Sequence, residues 1–268
     1  MEELEQEFNQ KRQFDRFVQA FIKDHSAPNQ EDIDRFINEI KTLERFSLDN
    51  KRFYLLFDQS KFWPIYISEN GEKESGFSVD YMLGKGLFFL FQKIHWKQLS
   101  FAYKVSQWGI SFQKIVGLQV PVQTYEVWLC GIKFKDKWGQ WRVFILKQKI
   151  LAATNYNKPL LSFIEAEEIT NLYKADFIWY KISCVFQGNR TTRTYFSNET
   201  KKDYAELLSL REIEILQLAA QQKNNREISE LLKLSKHTVE RHRKNMIARA
   251  GVTDMTALIR IAQLVKII

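Results

Sequence analysis

Apolar residues at three- and four-residue intervals, interrupted by capping residues, mark the C-terminal part of the chain. Over residues 208–251 this pattern predicts three short helices in close succession, each begun by a residue suited to the N-cap, namely Ser209, Asn224 and Ser235. Glu212 and Glu227 follow the first two caps by three residues and predict capping boxes. The middle helix is then very short and is followed by a sharp turn, which is the spacing of a helix-turn-helix.

The second and third of these helices each have an inward and an outward face. The inward positions recur at helical spacing: Ile228, Leu231 and Leu232 in the second helix, then Val239, His242, Met246, Ile247 and Ala250 in the third. The outward face of the third helix is basic, with Glu240 as the one carboxylate among Lys236, Arg241, Arg243, Lys244 and Arg249. Such a helix fits the major groove of DNA, where Arg and Lys reach guanine edges and phosphates. A merely solvated charged face is the alternative, but the capped helices in front of it favour the groove.

Alternating apolar positions predict strands in the middle of the chain. The expected strands are residues 65–67, 125–134, 140–151, 160–169, 177–186 and 192–196, with two hairpins that close at residues 135–139 and 187–189. Two apolar stripes ahead of them predict helices over residues 3–23 and 30–45, which either pack on the adjacent domain or form a dimerising hairpin.

These elements predict an α+β fold in three parts. They are an N-terminal helical segment (residues 1–50), a sensor-like antiparallel sheet domain with an extra C-terminal hairpin (51–198), and an all-α helix-turn-helix domain (199–268).

Three stretches of the C-terminal part carry a family resemblance: LSLREIEIL at 208–216, NREIS at 225–229 and LSKHTVERH at 234–242. Together they resemble the LuxR-type helix-turn-helix of bacterial transcriptional regulators. The resemblance implies a four-helix domain whose third helix enters the major groove. It also implies that the last helix, about residues 254–268, often pairs two subunits, and burial of that helix on its own domain is the alternative.

This interpretation places the DNA-binding residues on the second and third helices. Asn225 and Arg226 are expected near the DNA backbone. The residues expected to face the groove or to reach phosphate from the helix start are Ser235, Lys236, His237, Thr238, Arg241, Lys244 and Asn245. The expected partner is double-stranded DNA, bound by a homodimer on paired half-sites, and RNA polymerase is a candidate further partner.

The segment departs from the family pattern at three positions. Glu240 stands where the family has Lys, and places a carboxylate near phosphate or favours the amino group of cytosine. Gln222 stands for the usual Gly between the first two helices, and Ala250 for the usual Leu before Gly251. Both of these changes are expected to loosen packing without removing the fold.

The middle segment is similar to a PAS domain. Residues 64–68 and 74–78 resemble its first strand and its Thr-Gly-Tyr-Ser element, and Glu168-Ile169-Thr170 resembles its closing Asp-Ile-Thr. The resemblance implies a sensor of a small molecule, of redox state or of light, or a module that mediates pairing, and an unknown small molecule is a candidate ligand. A set of aromatic residues is expected mainly in the core, and the alternative is that some of them line an apolar pocket. They are Trp63, Phe88, Phe91, Trp108, Phe112 and Trp128. A haem at His95 is disfavoured against a packed histidine, and no cofactor and no metal are predicted.

Composition limits the class of protein. The 268 residues are 45% hydrophobic and include 21 Phe against 10 Gly and 4 Pro, which predicts a globular chain. The net charge is +8 and is unevenly distributed: the first fifty residues are acidic, whereas the middle and C-terminal parts of the chain are basic. The acidic start and the lack of a long apolar run predict a cytoplasmic protein without membrane contact. Cys130 and Cys184 lie in apolar surroundings and are expected to be buried and reduced.

We therefore predict a transcriptional regulator in which a sensor-like domain controls a major-groove-reading helix-turn-helix. A protein-interaction or scaffold module, whose helix-turn-helix docks a protein partner, is the alternative. A sigma-like factor is disfavoured by the strand-rich middle. An enzyme is not predicted, because the sequence has no phosphate-binding Gly-rich loop, nucleophile elbow or metal-ligand spacing.

Overall fold

The computed structural model describes residues 27–46, 51–61, 63–86, 89, 92–95, 97–98, 101, 120–121, 124–154, 159–198 and 207–268. The helix predicted over residues 3–23 lies outside the described residues, as do Phe88, Phe91, Trp108 and Phe112.

The described elements follow the predicted order of helix, sheet and helix cluster. The N-terminal and central elements are α1 (Gln30–Phe46), β1 (Arg52–Asp58), β2 (Trp63–Ile67), α2 (Glu69–Ser75), α3 (Val79–Lys85), β3 (Tyr125–Lys135), β4 (Trp141–Ala153), β5 (Pro159–Glu168), β6 (Trp179–Phe186) and β7 (Asn189–Phe196). The C-terminal elements are α4 (Leu210–Ala220), α5 (Asn225–Leu232), α6 (Lys236–Ala250) and α7 (Met255–Leu264). The predicted α+β class is confirmed.

The strands form one antiparallel sheet in the order β2-β1-β5-β4-β3-β6-β7. Both predicted hairpins, β3-β4 and β6-β7, are present. The strand β1 was not predicted. Its sequence, RFYLLFD, is partly or fully buried along its whole length, and so it lacks the alternation that marks a half-exposed strand.

Alternation along the central strands gives the sheet two buried faces. On β4, Phe144 and Leu146 pack with α2 and α3 on one face, which we call the cavity face. Val143 and Ile145 point to the opposite face, which we call the docking face, and pack with the C-terminal helices. On β3 an irregularity at Gly131 interrupts the alternation, so that Cys130 lies on the docking face while Ile132, two residues later, lies on the cavity face. The helix α1 packs against β1 and β5, close to the edge that β2 forms.

The C-terminal helices and the docking face share one hydrophobic cluster. Trp128, Cys130 and Trp179 of the sheet are fully buried in it, together with Val239 of α6 and Leu258 of α7. Between the two parts, the backbone N–H groups of Lys174 and Ala175 donate to the carbonyl of Gly251, and that of Thr253 donates to Leu172. The four-helix domain is therefore packed against the sheet rather than attached by a linker alone.

Candidate nucleic-acid interface

The capping residues read from the sequence start the helices as predicted. Ser209 with Glu212 and Asn224 with Glu227 form complete capping boxes, and Ser235 accepts from the N–H of Thr238 at the start of α6. The hydrogen bond from the backbone of Asn224 holds the pKa of Glu227 below its ordinary value. A charged carboxylate therefore fixes the start of α5, and the short link after α5 fixes the direction of α6.

The inward face of α5 differs from the prediction at one residue. Ile228 and Leu232 face the core as expected, but Leu231 is 59% exposed. Ser229 is buried instead. Successive residues of a helix are separated by about 100°, so an inward face centred between Ile228 and Ser229 turns Leu231 outward.

The outward face of α6 is accessible to a partner. Val239, Met246 and Ala250 are buried beneath it. Six of the predicted DNA-binding residues are exposed on α6 or at its cap, namely Ser235, Lys236, His237, Arg241, Lys244 and Asn245. Thr238 is half-buried, and its hydroxyl lies 2.8 Å from that of Ser235. The packing of the four-helix domain against the sheet thus leaves this face open.

Two of the basic side chains counted on this face are held within the protein. Arg249 Nη1 lies 2.7 Å from Oε2 of the buried Glu212, and so ties the end of α6 to the first capping box. Arg243 donates through Nη1 to the side-chain oxygen of Asn225 on α5. The exposed cations of α6 are then Lys236, Arg241 and Lys244. Sequence reasoning missed both pairs, because each joins residues far apart along the chain.

The two site residues predicted on α5 differ in their surroundings. Arg226 is exposed, and its Nε lies 3.0 Å from Glu230 Oε1, as expected for a pair four residues apart on a helix surface. Asn225 is half-buried and joins Arg243 to Glu240 across the two helices. Asn225 therefore connects α5 to α6 through hydrogen bonds. Its position near the DNA backbone stays a prediction.

Gln222 and Ala250, the two other departures from the family pattern, lie in very different surroundings, and their expected effect on packing stays a prediction. Gln222 adopts φ +63°, a left-handed conformation in which glycine carries no steric penalty, so the cost of this departure is one of backbone conformation. Ala250 is fully buried, and Trp179 Nε1 donates to its carbonyl oxygen at 3.1 Å. The sheet therefore packs directly against the end of α6.

Charged groups reinforce the packing between α7 and the sheet. Arg260 Nη2 lies 2.7 Å from Glu167 Oε1, and Lys266 Nζ lies 2.6 Å from Glu126 Oε1. The ammonium of the buried Lys181 donates to the carbonyl of Val265 and lies over the ring of Trp128. The apolar residues Leu258, Ala262 and Val265 are buried in a cluster that the four-helix domain shares with the sheet, and not on their own domain alone. Met255, Ile259 and Ile267 are only partly buried.

An apolar cavity of about 130 Å³ lies on the cavity face of the sheet. It is lined by Phe53, Ile67, Met82, Phe89, Ile132, Phe134, Phe144, Leu146 and Ile164, among others. Of the aromatic residues expected at a pocket, Trp63 and Trp128 are described, and neither lines this cavity. Trp128 lies on the docking face instead, and His95 packs beside Trp141.

Both Cys130 and Cys184 are free and buried, as predicted, and burial raises the pKa of each thiol.

Within the described part of the chain, none of the helices has the length and apolar character that a membrane span needs.

Comparison with known proteins agrees with the C-terminal architecture. Residues 206–262 match the family described as GerE, bacterial regulatory proteins, luxR family. This segment is therefore a LuxR-type helix-turn-helix, as the sequence predicts. A curated relative, the uncharacterized response regulatory protein YgeK of Escherichia coli (strain K12), is 47% identical over 55 residues. The match spans 20% of this chain and 37% of YgeK, so the chain covers well under two thirds of that relative.

Solved structures of LuxR-type receptors align with most of the chain at low similarity. The Vibrio cholerae VqmA dimer without target DNA aligns at 13% identity and a TM-score of 0.29, covering 86% of this chain and 88% of VqmA. A Vibrio cholerae VqmA–ligand–DNA complex aligns at 13% identity and 0.28, with the same coverage. The phage VqmA–DPO complex aligns at 13% identity and 0.28, covering 88% of this chain and 90% of that one.

Proposed function

We propose that this chain, whose C-terminal segment is a LuxR-type helix-turn-helix, regulates transcription by binding duplex DNA under the control of its PAS-like domain. The observation that carries the proposal is the open basic face of α6, held in place by two capped helices while its apolar side is buried. In this proposal the protein has no enzymatic activity, and it binds paired DNA half-sites as a homodimer. RNA polymerase is a candidate further partner, and the three-part division at residues 50 and 198 is part of the proposal.

Two substitutions on α6 separate base contact from phosphate contact. Arg241→Ala is expected to weaken binding to a selected site by about 1–3 kcal/mol, because an exposed Arg in the groove reads a guanine edge. Lys244→Ala is expected to weaken binding to all duplexes alike and to reduce the slope of log K against log salt by about one. Fluorescence anisotropy with a site selected from random duplexes, repeated at several salt concentrations, measures both effects.

The matched control is Lys137→Ala, which removes an exposed lysine from the β3-β4 turn of the sheet domain. It should leave specific affinity unchanged. Binding that is insensitive to salt in the wild type would support the scaffold alternative, because apolar burial onto a protein partner carries no counterion release. Equal affinities for wild type and both α6 variants would refute the proposed DNA-binding face.

We further propose that a small apolar molecule binds the cavity and acts on the DNA-binding domain through β3 and β4. These strands contribute Ile132, Phe144 and Leu146 to the cavity, and Val143 and Ile145 to the docking face. A cavity of this size with an apolar lining suits a ligand no larger than benzene, since an apolar cavity of comparable volume stays dry and binds benzene. A ligand that shifts β4 would move groups on both faces at once.

Benzene is expected to stabilise the folded wild type and so to raise its thermal midpoint. At a benzene concentration of one hundred times the Kd of the complex, the stabilisation is about 2.7 kcal/mol. Ile164→Phe, which adds volume to the cavity lining, should abolish this shift. Leu43→Phe on the exposed side of α1 is the matched control and should retain it. Calorimetry that shows equal shifts for all three proteins would exclude the cavity as the binding site.

A further inference from the structure

Glu240 occupies the middle of the surface that this proposal presents to DNA. It is the fifth residue of α6 (Lys236–Ala250), and Lys236, Glu240 and Lys244 follow one another at four-residue spacing along the exposed side. In helix-turn-helix proteins the N-terminal residues of the recognition helix contact base edges. A carboxylate in this position is repelled by phosphates, whereas an amino group on a base edge would be a favourable partner for it.

The structure holds Glu240 in a defined orientation. Oε1 accepts from the side-chain amide of Asn225 at 3.5 Å, and Lys236 Nζ lies 3.9 Å from the same oxygen. Asn225 is itself fixed by Arg243. The result is a chain of polar contacts that joins α5 to α6 and restricts the orientation of the carboxylate.

The second oxygen of Glu240 is available to a partner. Among the described residues, Oε2 has no hydrogen bond or ion pair, and the side chain is 46% exposed. A carboxylate oxygen only accepts hydrogen bonds. In the major groove, donors are the N4 amino group of cytosine and the N6 amino group of adenine, and Glu pairs with the former while Asn and Gln pair bidentately with adenine.

We infer that Glu240 is a specificity-determining residue that selects cytosine at one position in each half-site, by accepting a hydrogen bond from its N4 amino group. The inference rests on the proposed DNA-binding function and identifies the base that this function reads. Lys236 and Asn225 have a positioning role, because the ammonium of Lys236 offsets the charge of the carboxylate and the amide of Asn225 orients it.

Selection from random duplexes with wild type, Glu240→Gln and Glu240→Ala tests the inference. The wild type should enrich cytosine at one position per half-site, Glu240→Gln should change that preference towards adenine, and Glu240→Ala should lose it. Exchanging the C·G pair for T·A should weaken wild-type binding about 5- to 150-fold and leave Glu240→Ala nearly unaffected. Glu214→Gln, which removes an exposed carboxylate from α4, is the matched control for charge and should keep the wild-type preference.

The possible failures are distinguishable. If the wild type enriches no duplex at all, the proposed DNA-binding function is wrong. If the wild type enriches a site and all three Glu240 proteins share the same base preference, DNA binding stands and the inference is wrong, with Glu240 serving only to join α5 to α6. Thermal unfolding of each variant confirms that the comparison is made on folded protein.

Discussion

Replacing Trp179 with alanine is expected to lower the free energy of unfolding by about 3–5 kcal/mol, the usual cost of truncating a buried aromatic side chain. Trp179 is fully buried at the start of β6, in the cluster that joins the docking face to the C-terminal helices. Its Nε1 also donates to the carbonyl of Ala250, so truncation leaves a buried acceptor without this donor. Few single changes to the sheet domain should affect the helix-turn-helix as strongly.

Chemical denaturation followed by circular dichroism and by fluorescence measures this effect. Trp179→Phe keeps an aromatic ring but removes the donor, and is expected to cost less than the alanine variant. Trp138→Ala is the matched control: Trp138 lies in the β3-β4 turn, is 63% exposed, and should change stability by no more than about 0.5 kcal/mol. Because the two domains share one cluster, wild type should unfold in one cooperative step. A separate helix-turn-helix transition that Trp179→Ala leaves unchanged would show that the domains do not depend on each other.

Local signals made the C-terminal domain predictable from sequence. The side chains of Ser209, Asn224 and Ser235 accept hydrogen bonds from backbone N–H groups no more than three residues away. These caps start α4, α5 and α6 as expected. The hairpins were predictable for the same reason, because alternation and turn residues lie close together along the chain. The accessible positions of Lys236, Arg241 and Lys244 followed from helical periodicity, although their role as DNA contacts stays a prediction.

Contacts between distant segments were not predictable. Nothing near Arg249 in the sequence indicates that it pairs with Glu212, and nothing near Lys181 indicates that its ammonium is buried against the carbonyl of Val265. The cluster that contains Leu258 and Val265 also includes Trp128 and Trp179, which belong to strands far upstream. A periodic pattern shows that a helix has an apolar face, but it does not specify which surface covers that face.

Replacing Gly251 with alanine is expected to destabilise the protein by about 2–5 kcal/mol, by combining backbone strain with overpacking. Gly251 ends α6 with φ +74°, in the left-handed conformation that favours glycine. A Cβ atom here would lie 2.8 Å from the Cβ of Ala175 and 2.9 Å from the ring of Tyr173, both on the segment between β5 and β6. Since the carbonyl of Gly251 also accepts from Lys174 and Ala175, that segment has little freedom to retreat.

Gly188 provides a control with the same backbone conformation and no close neighbour. It has φ +79° in the β6-β7 turn, and a Cβ atom there would meet nothing within 4 Å. Gly188→Ala should therefore lower the free energy of unfolding only through backbone strain, by about 1–2 kcal/mol. The additional loss in Gly251→Ala measures the energetic cost of crowding between the end of α6 and the segment that follows β5. Equal losses of stability, measured by chemical denaturation, would mean that the sheet yields without cost at this point. A larger loss for Gly251→Ala would show that the packing of the four-helix domain against the sheet is stabilising in solution. The base preference of α6 would then be exerted by a domain that is anchored, through Gly251 and Trp179, to the strands that line the cavity.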